Sequence, residues 1–114
     1  MKISFETPKH EEMANDQVKL DRWCPKKAPC TGQEVRLTLD TLSAAETLFD
    51  VPKTSFHPHP LTGKYKGYFS VWINKKSRIV FRPDHAGDSE FSIDNYKTIK
   101  SIIIVELCID YHGH

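Results

Sequence analysis

Several protein classes are excluded by what this sequence has little of. Its longest unbroken apolar run, Ile102 to Val105, falls far short of the roughly 20 residues that a helix needs to cross a bilayer. The opening Met1-Lys2-Ile3-Ser4-Phe5 turns polar at once and does not read as a secretory leader. Cys24, Cys30 and Cys108 are an odd and small complement of cysteine, which argues against a disulfide framework and for a reducing compartment. Repeats, low-complexity tracts and long linkers are also missing. With 114 residues the chain can build one modest core, and 39% hydrophobic with 27% charged residues places it among ordinary globular domains rather than disordered chains. The expectation is a single cytoplasmic domain, residues 1–114, with no membrane association.

The net charge of +1 conceals a strong asymmetry. Residues 1–50 hold seven Lys or Arg against nine Asp or Glu, and residues 84–114 hold two against six. Between them, residues 51–83 carry Lys53, Lys64, Lys66, Lys75, Lys76, Arg78 and Arg82 and no acid at all. Solubilising surfaces usually mix signs. A +7 stretch without interleaved carboxylates is a local field that attracts phosphates or an acidic partner.

Periodicity divides the chain into helices followed by strands. Residues 2–5 suggest a short strand and His10–Arg22 a helix, while the prolines of Cys24-Pro25-Lys26-Lys27-Ala28-Pro29-Cys30 predict a loop. Thr31-Gly32-Gln33-Glu34 fits a capping box, and Val35, Leu39 and Leu42 then form one apolar stripe on a helix ending near Ala45 or Glu46. After Pro52 the period becomes two. Phe69, Val71 and Ile73 alternate with Ser70, Trp72 and Asn74, Asn74–Ser77 makes a tight turn, and Ile79 and Phe81 mark the return strand. Residues 83–96 read as a polar surface excursion. Ile102–Ile109, apolar on both faces apart from Glu106, is expected to be a central strand. The fold expected is α+β, two N-terminal helices packed on a small antiparallel β-sheet.

Two polar groups offer chemistry. One is the loop His57-Pro58-His59-Pro60-Leu61-Thr62-Gly63-Lys64, and the other is Asp110-Tyr111-His112 after the last strand. If they meet, His59 and His112 flank one phosphodiester and the basic hairpin holds its oxygens. That set suits RNA cleavage through the ribose 2′-hydroxyl, which needs a base, an acid and cations for the charge that builds on the phosphorane. Taken singly, each residue has a plainer explanation: a turn histidine, a strand-end tyrosine, a capping aspartate, an arginine on an open sheet face. A metal site is not expected. His57-x-His59 and His112-x-His114 would offer four imidazoles, but Pro58 and Pro60 disfavour a strand for the first pair, and Cys24-x5-Cys30 is not a zinc-knuckle spacing.

His59-Pro60-Leu61-Thr62-Gly63, Gly67-Tyr68-Phe69-Ser70, Arg78-Ile79-Val80-Phe81 and Asp110-Tyr111-His112, in that order, resemble the HigB-type plasmid maintenance killer toxins of the RelE/ParE superfamily. The helix Val35–Ala45 is similar to the family's second helix, and the likeness spans residues 33–112. The resemblance implies a compact RelE/ParE-like fold and a ribosome-dependent, metal-independent, cofactor-free endoribonuclease, an mRNA interferase acting in the decoding site. It implies a HigA-type helix-turn-helix antitoxin as partner, with operator DNA reached only through the antitoxin complex. His59, Asp110, Tyr111 and His112 would be catalytic and Arg78 would contact the scissile phosphate. Lys64, Lys66, Lys75, Lys76 and Arg82 would bind RNA. Thr62 stands where the family commonly has lysine, and Ser77 where an aromatic usually precedes the arginine. The alternative within the same fold is a ParE-like DNA gyrase poison, or a non-catalytic member that binds only antitoxin and operator.

Overall fold

The computed structural model describes residues 1–110; Tyr111, His112, Gly113 and His114 lie outside the described residues. The architecture is α+β. A strand β1 (Lys2–Phe5) leads into α1 (Pro8–Ala14), α2 (Gln17–Lys27) and α3 (Gly32–Ala44). A 3-10 turn (Leu48–Asp50) and a single helical turn α4 (Lys53–Phe56) precede β2 (His59–Pro60). The strands β3 (Phe69–Asn74), β4 (Ser77–Pro83) and β5 (Ser101–Asp110) complete a five-stranded sheet in the order β1-β5-β4-β3-β2.

The single helix expected over His10–Arg22 is two helices. α1 closes at Asn15, and the Asp16 carboxylate then accepts from the Lys19 amide at 3.3 Å and caps a new helix. The predicted loop at 24–30 is helical through Lys27. Pro25 sits in the last turn of α2, where its ring removes one hydrogen bond without breaking a ladder that is about to end. α3 follows its sequence signals closely. Glu34 N–H donates to Thr31 Oγ1 at 3.1 Å and Thr31 N–H donates to Glu34 Oε1 at 3.0 Å. Its buried stripe is Val35, Thr38, Leu39 and Leu42. Gly32 lets α3 start hard against α2, since a Cβ there would lie 2.7 Å from the Asp21 Cα.

The sheet is mixed. β2, β3, β4 and β5 pair antiparallel in sequence, but β1 joins β5 in parallel, with Ile3 opposite Ile102. β5 is therefore an interior strand, with Ile102, Ile104, Leu107 and Cys108 buried. Those residues, Phe69, Val71, Ile79 and Phe81 from the hairpin, and Leu20, Cys24, Val35, Leu39 and Leu42 from the helices make one core. Phe69 and Phe81 face each other in register with ring centroids 5.9 Å apart. Among the described residues no helix is long and apolar enough to cross a membrane.

Candidate active site

The hairpin pleat sends Ile79 and Phe81 into the core with their partners Val71 and Phe69, and puts Ser70, Trp72, Arg78 and Val80 in the other row. Ser70 pairs with Val80 and Trp72 with Arg78. β2 adds His59 opposite Ser70, so His59 and Arg78 are attached to the same row two residues apart, about 7 Å along the strand. This brings two of the predicted site residues onto one face.

His59 is positioned by two contacts. Its Nδ1 lies 2.8 Å from the His57 carbonyl oxygen, and its Nε2 lies 3.3 Å from Ser70 Oγ. A carbonyl only accepts, so Nδ1 carries the proton and Nε2 of the neutral ring keeps its lone pair. His57 itself has left-handed backbone, φ 44° and ψ 53°, at the end of α4, and its ring stacks on Trp72 with centroids 3.7 Å apart. Left-handed backbone is uncommon away from glycine, histidine being one of the residues that adopt it, and here it ends α4 just before β2.

Arg78 is not on an open surface, as its alternation with Ile79 suggested; it is 4% exposed. Its Nη1 donates to the Asn74 carbonyl at 2.7 Å and to the Ser77 carbonyl at 3.1 Å, and its guanidinium lies 4.6 Å from the centre of the Trp72 ring. Trp72 thus carries both the His57 imidazole and the Arg78 cation. Asn74 is fixed in turn, its Nδ2 donating to the Pro29 carbonyl at 3.0 Å and its Oδ1 accepting from the Lys76 amide at 2.8 Å. The turn that presents Lys75 and Lys76 is therefore pinned to the loop before α3.

The remaining predicted residues are more dispersed. Asp110 ends β5 opposite Ser77, while Arg78 pairs with Ile109, so Asp110 occupies the neighbouring row of the ladder. Tyr111 and His112 lie outside the described residues, and with them the proposed meeting of His59 and His112. Lys64, 5.3 Å from the Tyr65 ring, and Lys66 are exposed on the loop between β2 and β3. A hollow of about 510 Å³ lined by Leu61, Lys66, Tyr68, Phe69, Ile93 and Tyr96 takes in Lys66 but neither His59 nor Arg78. Burial raises the Tyr96 hydroxyl above its ordinary range. Arg82 stands four residues beyond Arg78 and pairs with Glu6 at 3.8 Å, at the far end of the strand from the hairpin turn.

Sequence reasoning missed the parts that hold this face together. Trp72 was visible as an aromatic on the polar phase of an alternating strand, which is the pattern of a ring kept for contact rather than core. His57 and Ser70 carried no comparable signal. Away from this face, the three thiols of Cys24, Cys30 and Cys108 are buried and unbridged, with their sulfurs all within 4.8 Å of one another.

Fold and site together define an α+β domain in which β2 and the β3–β4 hairpin attach His59 and a buried Arg78 to one sheet row. The chain matches no protein-family profile and no curated protein.

Proposed function

We propose that this chain is a HigB-type toxin of a type II toxin–antitoxin pair, an endoribonuclease that cuts messenger RNA on the ribosome. The observation that carries the reading is the attachment of His59 and Arg78 to one sheet row, in a segment with seven cations and no acid. The ordered motifs through Asp110-Tyr111-His112 support it as a resemblance.

In this reading the ribose 2′-oxygen attacks the adjacent phosphorus, the O2′–P bond forms and the P–O5′ bond breaks. The 2′-hydroxyl proton passes to a base, and a second proton reaches the departing 5′-oxygen from an acid. The products are a 2′,3′-cyclic phosphate and a 5′-hydroxyl. His59 suits the base because its Nε2 lone pair is free of the carbonyl that fixes Nδ1. Arg78 suits the phosphorane because a guanidinium held by the Asn74 and Ser77 carbonyls puts a fixed positive charge beside this row as negative charge builds. His112, with Tyr111 and Asp110, supplies the second proton-transfer group. Lys64, Lys66, Lys75 and Lys76 hold ribosomal and messenger RNA, and a HigA-type antitoxin neutralises the chain and links it to operator DNA.

Induced expression tests the reading. Growth should arrest, primer extension should show discrete breaks in translated messages, and His59→Ala or His112→Ala should relieve both. Unchanged toxicity in both variants would remove the catalytic assignment, and arrest with DNA-damage signalling but intact messages would mark a gyrase poison instead.

A further inference from the structure

We propose that Cys24, Cys30 and Cys108 form a binding site for one zinc ion, which ties α2 and the loop before α3 to the end of β5. The proposal is independent of the nuclease reading. The three residues come from three separate segments, Cys24 from the last turns of α2, Cys30 from the loop and Cys108 from β5. They are 0%, 5% and 4% exposed, so the fold has gathered three soft ligands where water does not reach.

The dimensions fit. Zinc–sulfur bonds of about 2.3 Å in a tetrahedron put sulfurs about 3.8 Å apart, and here all three lie within 4.8 Å, so contraction by at most about 1 Å closes the site. Small rotations of the three side chains supply that. A fourth donor is at hand. Ser77 is fully buried at the start of β4, and its hydroxyl lies within hydrogen-bonding reach of Cys30, where its oxygen can turn to a cation.

Charge selects the ion. Three thiolates around a dication leave a net charge of −1, whereas a monovalent copper ion leaves −2, which is dearer to bury. Binding a dication there displaces the thiol protons, so zinc affinity should rise with pH.

The test is titration of the full-length, reduced, untagged protein with Zn²⁺ against a chromophoric chelator, and with Co²⁺ as a spectroscopic substitute. The expected result is one equivalent bound, a sulfur-to-cobalt charge-transfer band of three-thiolate intensity, and protection of three thiols from an aromatic disulfide reagent. Cys30→Ser should weaken zinc at least 100-fold and Ser77→Ala by 10-fold or more. Zinc binding that survives both Cys30→Ser and Cys24→Ser would place the ion elsewhere, for instance on His57 and His59, and overturn the proposal. Failure of the wild-type protein to bind zinc, or preference for copper(I) alone, would do the same. If the cysteine variants do not fold, the wild-type cobalt spectrum decides: a band from nitrogen and oxygen ligands only would sink the site.

Discussion

Arg78 and the lysines of the same basic segment carry the same unit charge but are held in opposite ways. The arginine is 4% exposed, bonded to two carbonyls and laid against Trp72, whereas Lys64, Lys66, Lys75 and Lys76 are exposed. Burial fixes a charge in place and raises its worth per contact. Exposure leaves long side chains to attract phosphate at range and to be screened by salt. The segment therefore holds its cations in different ways, and the +7 count by itself hid that Arg78 is buried in the protein while these four lysines face solvent.

Under the proposed nuclease function, substitutions can break this contrast, the largest effect first. His59→Gln keeps a polar side chain but cannot exchange a proton near neutrality, so message cleavage should fall about 10²–10⁴-fold with the melting temperature little changed. Arg78→Lys keeps the charge and loses the planar fork. Cleavage should drop about 10²–10³-fold while ribosome binding, read by co-sedimentation, stays within a few-fold. Equal loss of binding and cleavage would mean that Arg78 attracts rather than positions. Lys75→Ala with Lys76→Ala should do the reverse, flattening the slope of log affinity against log salt by roughly 1–2 while leaving the rate in the bound complex alone.

Two smaller tests concern charges outside that face. Burial lowers the His10 imidazole below its usual 6.5, against the attraction of Glu106. The folded state then binds fewer protons than the unfolded one, so stability is complete above the unfolded value and is lost as pH falls through the lower folded value. Urea melts between pH about 7 and 5 should show that decline, and His10→Gln should flatten it. Arg82→Ala breaks a partly exposed pair with Glu6 and should cost less than about 1 kcal/mol in the same melts.

What the sequence revealed depended on how local the physics was. The Thr31–Glu34 cap and the Val35-Leu39-Leu42 stripe are decided within one helix, and both are present. The hairpin was legible because Phe69, Val71, Ile79 and Phe81 alternate with polar partners around a four-residue turn. The α1–α2 break was not, because Asn15 and Asp16 are ordinary helix-surface residues until Asp16 turns back to cap. Arg78 looked exposed since alternation assigns a face and not what covers it. Trp72 and the Asn74 turn decide that, through contacts no local pattern encodes. The cysteine cluster was invisible for a related reason: Cys108 reaches the other two only once β5 is in the sheet.

The parallel pairing of β1 with β5 has a consequence for how the chain is made. β1 precedes every helix and the hairpin, yet the strand it lies beside is the last of the described elements to be synthesised, so that pairing edge has no partner until β5 is made. Placing β5 between β1 and β4 joins the first strand to the hairpin and sets Ile109 beside Arg78. A chain that stops before β5 has the hairpin and His59 in its sequence but lacks the strand that joins them to β1. Synthesis order would thus postpone completion of that sheet until β5 has been made.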